Sequence, residues 1–270
     1  MTPSRDTNPS AFQEAFVNEL RARRQADGLS RNKLAATLGC TPQWLAKVET
    51  FEKPPSEGLA NDLDAHYQLG GVFHRLWEKH DEARKSGLIP SAVRPLVEAE
   101  KEASRISVYE PLLVTGLVQT EDFARYVFSS GFQADRAEEL VAIRMERQAI
   151  LCKPDPPWLF VMMREAVIRD IQAEFRLRQC KRLLEVMSYT NVTLQIVPTD
   201  APVFQESGFQ LLSFAQAHDV AYVDGASGFG QILTEVRDVQ RLAVVFDLIG
   251  STALPVKASE DLIRTIMEDT

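Results

Sequence analysis

Apolar residues recur at helical spacing through the first 85 positions. In "AFQEAFVNELRARRQADG", Phe12, Phe16 and Leu20 fall at i, i+4 and i+8, on one face of a helix. Ser10 is placed to cap its start and Gly28 to stop it. "SRNKLAATLG" predicts a second, short helix running from a Ser30 cap to Gly39. Thr41-Pro42 opens a third, because Thr at the N-cap followed by Pro at the first helical position is a strong start signal. Trp44, Leu45 and Val48 give that helix its apolar spacing. "EKPPSEG" interrupts the pattern, and "SEGLANDLDAHYQL" and "VFHRLWEKHDEARK" predict a fourth and a fifth helix. Residues 10–85 therefore read as an all-α, five-helix unit behind a polar tail, 1–9, expected to be disordered.

"SGLIPSAVRP" carries a Gly and two Pro, and a linker is expected over 86–95. Beyond it the periods mix. "AVRPLVEAEKEASRI" reads as helix and "VYEPLLVTGLVQ" as partly extended. "TEDFARYVFSSG" reads as a capped short helix, and "ADRAEELVAIRMERQAIL" as a long amphipathic one. "PPWLFVMM" is a strand candidate, and "REAVIRDIQAEFRLRQCKRLLEVMS" reads as another long helix. The period then switches, and "NVTLQIVP", "GFQLLSF" and "VAYVDG" predict short strands separated by turn residues. Two helices close the chain. Residues 96–270 are thus expected to form an α+β domain with a small sheet, and the chain as a whole to be multidomain.

Charge sharpens this division. The chain carries a net charge of −8, which argues against non-specific coating of nucleic acid. Residues 12–53, however, hold seven Lys/Arg against five acids, so the acidity lies mainly elsewhere. Three scattered cysteines, Cys40, Cys152 and Cys180, suit a reduced, cytoplasmic chain better than a disulfide framework. No apolar run reaches the roughly 18–20 residues of a membrane helix, and "MTPSRDTNPS" lacks the apolar core of a secretory signal.

The stretch "LSRNKLAATLGCTPQWLAKVET" meets the physical needs of a helix-turn-helix. Gly39 supplies a turn residue tolerant of positive φ. Leu34, Ala35, Leu38, Leu45 and Val48 supply small or aliphatic inner faces. The outer face of the third helix offers Pro42, Gln43, Trp44 and Lys47 to a major groove about 12 Å wide. Gln43 and Lys47 are the candidates for base edges, since Gln pairs with adenine and Lys reaches guanine or phosphate. Arg31 and Lys33, opening the second helix, suit phosphate contacts. Thr41 completes the expected DNA-binding set. Trp44 suits either a thymine contact or packing against the neighbouring helix. Arg21 and Arg23 suit either further backbone contacts or a solvated face.

The joint pattern closely resembles the helix-turn-helix of the phage repressor and Cro, or XRE, family. That resemblance implies a buried structural ion pair between Arg24 and Glu49. "EPLLVTGLVQTEDFARYVF", "RMERQAIL", "NVTLQIVP", "SGFQLLSF" and "LAVVFDLIGSTAL" resemble the C-terminal domain of actinobacterial WhiJ-like regulators. Where that family usually reads Pro-Gly-Leu-Leu-Gln-Thr, this chain has "TGLVQT", Thr115 to Thr120. Gln119 and Thr120 either line a pocket or cap the following helix. The resemblance implies a homodimeric transcriptional regulator acting on a palindromic operator in double-stranded DNA, with a small-molecule effector as one source of signal. It also implies a second reading. In this one the chain is antitoxin-like, sequesters a small protein encoded by a neighbouring gene, and autoregulates its operon.

No catalytic constellation stands out, so an enzyme is not expected. There is no phosphate loop, nucleophile elbow, zinc-protease helix or dinucleotide fingerprint. "GASGFGQ", with Gly225, Gly228 and Gly230, reads as a hairpin turn, because it does not open a helix as a phosphate site does. His74 and Glu78 sit at i, i+4, but two ligands on a charged helix face do not make a metal site. No metal and no cofactor are expected.

Overall fold

A computed structural model describes residues 10–131, 133–205, 207–226 and 229–269. The tail 1–9, and Ser227 and Gly228 of the Gly-rich turn, lie outside the described residues. The chain divides into two compact units, 1–87 and 88–270.

The first unit is built from helices α1 (Ala11–Ala26), α2 (Arg31–Thr37), α3 (Pro42–Glu49), α4 (Glu57–Tyr67) and α5 (Val72–Leu88). The first four begin at a side-chain cap. The Ser10, Ser30, Thr41 and Ser56 hydroxyls accept from the backbone N–H groups of Gln13, Lys33, Trp44 and Leu59, at 3.1 to 3.3 Å. The fifth is capped from a distance, with the Asp64 carboxylate accepting from the N–H groups of Phe73 and His74 at 2.9 and 2.8 Å. Gly39 turns the chain between α2 and α3 at φ +68°, where a side chain would be strained. The core gathers Phe16, Leu20, Leu34, Leu45, Val48, Leu63 and Phe73, with Phe16 edge-on to Phe73 at 5.0 Å.

Phe12 departs from the expected stripe and is exposed, whereas Gln13 and Val17 are buried. An i, i+4 spacing drifts by about 40° per step on a helix of 3.6 residues per turn. Burial of Val17 centres the inner face between Phe16, Val17 and Leu20 and leaves Phe12 at its edge. The linker expected at 86–95 is helical at both ends. α5 continues through Gly87 to the buried Leu88, and α6 (Arg94–Glu102) starts with Pro95 in its first turn.

The second unit is α+β. After α6 come β1 (Arg105–Glu110), α7 (Glu121–Ser129), α8 (Ala137–Gln148), β2 (Trp158–Arg164), α9 (Glu165–Arg169), α10 (Ala173–Val186) and β3 (Val192–Val197). Then follow β4 (Phe209–Ser213), β5 (Val220–Val223), β6 (Gln231–Leu233), α11 (Val236–Gly250) and α12 (Val256–Glu268). The six strands form one mixed sheet in the order β3-β2-β1-β4-β5-β6. β1, β2 and β3 are parallel neighbours, each joined by helical crossovers, and β4, β5 and β6 continue antiparallel from β1. β5 and β6 flank the Gly-rich turn, with Val223 opposite Gln231.

The single helix expected over 164–188 is two helices. Ile171, between α9 and α10, is buried, and the Arg176 guanidinium donates to the carbonyls of Ile171 and Arg169, both at 2.9 Å. That side chain satisfies carbonyls freed at the end of α9, so the break costs little. One face of the sheet packs Ile106, Val108, Val161 and Met163 against Phe123, Leu183 and Ile263 of the helices. The other packs Tyr109, Met162 and Phe209 against Phe246 and Ile249 of α11.

Candidate nucleic-acid interface

The helix-turn-helix is locked by one carboxylate. Glu49, at the end of α3, is fully buried. Arg24 donates to it twice, Nε to Oε1 at 2.7 Å and Nη2 to Oε2 at 3.2 Å, and gives its third bond to the Leu29 carbonyl at 3.1 Å. Arg31 Nε donates to Oε2 at 2.5 Å. Arg21 donates to the Glu49 backbone carbonyl, and its guanidinium lies 5.4 Å from the Phe51 ring centre. α1, α2 and α3 are thus tied to a single point. Burial alone would raise the Glu49 carboxyl, but the hydrogen bonds and charges of Arg24 and Arg31 outweigh it and hold the group below its ordinary value.

Arg31 therefore has a structural role besides the expected phosphate contact. Sequence spacing hides this, because its partner is on another helix. Its side chain remains about half exposed at 46%, against 13% for Arg24. Arg23 is tied to Glu19 at 2.7 Å across one helical turn, which compensates its charge.

The outer face of α3 carries the candidate readers. Gln43 and Lys47 are both exposed and one turn apart, so they project from the same side. Leu45 and Val48 are buried on the opposite side. Thr41 and Lys33 are exposed, while Pro42 is half-buried. Trp44 is half-buried and packs against the helical core, as does Cys40 in the turn.

In the second unit, the two readings of the "QT" pair divide between its residues. Thr120 caps α7, its hydroxyl accepting from the Phe123 N–H at 3.4 Å. Gln119 is buried beside a cavity, where it donates to the Val114 carbonyl at 2.7 Å and accepts from Arg144. Gln179, a buried residue of α10 that sequence reasoning missed, fastens this loop. Its amide donates to the Val118 carbonyl and accepts from the Thr120 N–H. Among the described residues no group of three or more His, Cys, Asp or Glu is placed to hold a metal, and His74 pairs with Glu78 at 3.3 Å. None of the described helices is long and apolar enough to cross a membrane.

A capped pair of short helices turning on Gly39 over a buried ion pair defines a class, and the comparisons agree with it. Residues 15–77 match the family model described as "Helix-turn-helix domain". Residues 93–265 match the one described as "Domain of unknown function (DUF5753)", and the chain belongs to that family. No curated protein and no solved structure matches the chain.

Proposed function

We propose that the chain is a homodimeric, sequence-specific transcriptional regulator. In this reading α3 enters the major groove, and Gln43 and Lys47 read base edges. Lys33 and the exposed part of Arg31 hold phosphates, with Thr41 and Pro42 at the groove wall. The observation that carries the proposal is the exposed Gln43–Lys47 pair on a helix whose opposite face and C-terminal Glu49 are buried. Trp44 contributes by packing. The second unit joins two copies so that half-sites lie about one helical turn, roughly 34 Å, apart, and it receives the signal. It catalyses no reaction.

A gel shift tests the reading, with an operator first found by selection from random duplexes. Gln43→Ala combined with Lys47→Ala is expected to lower specific affinity by at least about thirtyfold, since each of the two base contacts discriminates by about 1–3 kcal/mol and about 1.4 kcal/mol is tenfold. Wild-type affinity falls steeply with salt as counterions are released. Unchanged affinity and sequence preference in the double variant would overturn the assignment.

One observation favours a protein contact on the second unit. Val244 and Leu248 lie one turn apart on α11 and are 58% and 63% exposed. A second copy or a small protein partner would cover them. The antitoxin-like reading needs the latter, and co-purification with the product of a neighbouring gene separates the two.

A further inference from the structure

The second unit has an open-sided cavity of about 390 Å³ where the end of β1 meets β4 and β5. This lies within the range of small-molecule sites, roughly 300–1,000 Å³. β1 is also the strand from which the sheet runs parallel on one side and antiparallel on the other. Places beyond strand ends where the topology switches are where open sheets tend to bind ligands.

Strand register builds the floor. Val108, Gln210 and Tyr222 lie in one row across β1, β4 and β5. Side chains alternate along a strand, so two residues further on Glu110, Gly208 and Asp224 form the next row on the same face. The Asp224 N–H donates to the Gly208 carbonyl at 2.9 Å, which holds that row together. A Cβ at Gly208 would stand 2.6 Å from Asp224 Oδ2 and 3.1 Å from Glu110 Oε2. The two carboxylates therefore converge above a residue that has no side chain. Neither has a hydrogen-bond or ion-pair partner among the described residues. Two further buried polar atoms at this wall also lack one, Gln210 Oε1 and Thr115 Oγ1, on residues only 4% and 1% exposed.

The charges do not cancel. Arg147 is matched by the buried Glu100, with Nη2 to Oε1 at 2.5 Å. Arg144 lies 4.6 Å from the Phe128 ring centre and gives a hydrogen bond to the neutral Gln119. Once both carboxylates are ionised, they face one unmatched guanidinium, an excess of one negative charge that a bound cation would balance. Unsatisfied atoms here, carboxylate and amide oxygens, are chiefly acceptors, so what they lack is a donor with a single positive charge. Around them Pro111, Leu112, Leu113 and Val93 supply apolar lining.

We propose that this cavity binds a small molecule bearing one protonated amine on an apolar body, its ammonium group held between Glu110 and Asp224 with Gln210 Oε1. The inference rests on reading the second unit as the part that receives a signal, and it names the chemistry of that signal. Burial, then repulsion from Asp224, pushes the Glu110 carboxyl up to about 8, despite the opposing charges of Arg144 and Arg147. Asp224 is raised as well by burial, with Arg147 opposing. The empty site therefore keeps the Glu110 proton at neutral pH, and an arriving ammonium displaces it.

Isothermal titration of the full chain at pH 7 tests this. The probes are n-hexylammonium and phenethylammonium chloride, with hexanol and sodium hexanoate as matched controls. The amines are expected to bind one per chain, and the measured heat is expected to depend on the buffer because a proton leaves Glu110. Asp224→Asn and Glu110→Gln should each weaken binding at least tenfold. Gly208→Ala should do the same while retaining both charges. Circular dichroism on each variant verifies its fold.

The proposal fails if hexanol or hexanoate binds as well as the amines. It also fails if all three variants bind like wild type, or if no amine binds at up to about 10 mM, a level that would register even a dissociation constant of about 1 mM. Operator binding in the same samples separates the two readings. Amine binding without any change in operator affinity leaves the site in place and removes its signalling role.

Discussion

Glu49→Ala is expected to unfold the first unit at denaturant concentrations where the second remains folded. Glu49 is fully buried and accepts from both Arg24 and Arg31. Removing it leaves Arg24, 13% exposed, as an uncompensated charge. Breaking one side of a buried pair costs about 3–5 kcal/mol, against a total of about 5–15 kcal/mol for a small domain. The effect is readable because Trp44 and Trp77 belong to the first unit and only Trp158 to the second. In a Trp158→Phe background, urea unfolding followed by fluorescence reports the helical unit alone. A midpoint within error of wild type would show that the network does not hold the helices.

Replacing both Arg24 and Glu49 by Leu should recover part of the loss, because apolar residues often substitute for a buried pair at little cost. Acid has a related effect. The folded Glu49 carboxyl sits below its ordinary value, so its contribution is complete above that ordinary value and is lost as pH falls through the folded one. Operator binding should decline in step with unfolding, since Glu49 is fully buried and acts by setting the pose of α3.

What could be read from the sequence follows from how local each determinant is. Ser30, Thr41 and Gly39 act within three or four residues of themselves, so the caps and the turn were legible. The Arg24–Glu49 pair spans two helices and came from resemblance, and Arg31 in the same network came from neither. Gln119 and Thr120 were open between pocket and cap because adjacent residues of a loop can face opposite ways, and here they do. The sheet was legible as short strands but not in its order, because β1 and β2 pair across two intervening helices. The cavity was hidden for the same reason. Glu110 and Asp224 come together only through two steps of strand register, and Gly208 looks like an ordinary turn glycine until its neighbours are in place. Likewise the break between α9 and α10 depends on Arg176 reaching back to carbonyls of the preceding helix, which apolar periodicity does not encode.

Glu110→Gln is expected to make the second unit more stable than wild type at pH 9, with the difference shrinking as pH falls to 5. The folded Glu110 carboxyl lies at about 8 against an ordinary 4.5. Between those values the unfolded chain has released the proton and the folded chain retains it, so stability falls as pH rises across that window and levels off above it. The free-energy span is on the order of 3–5 kcal/mol, because a tenfold change in a protonation equilibrium is worth about 1.4 kcal/mol. Asp224, also raised, adds a fall of the same sign. Tyr222, pushed up to about 12 by burial and by Asp224, stays protonated throughout. A glutamine has no proton to lose and no charge to bury, so it removes the Glu110 part of the slope. The measurement is urea unfolding of the second unit, followed by Trp158 fluorescence in a Trp44→Phe, Trp77→Phe background, at intervals from pH 5 to 9. Equal slopes in wild type and variant would mean that Glu110 titrates as an ordinary carboxylate and that its enclosure by the cavity is without energetic consequence. A protonated amine bound at saturation should flatten the wild-type slope as well, because the ligand then carries the charge that balances the ionised carboxylate.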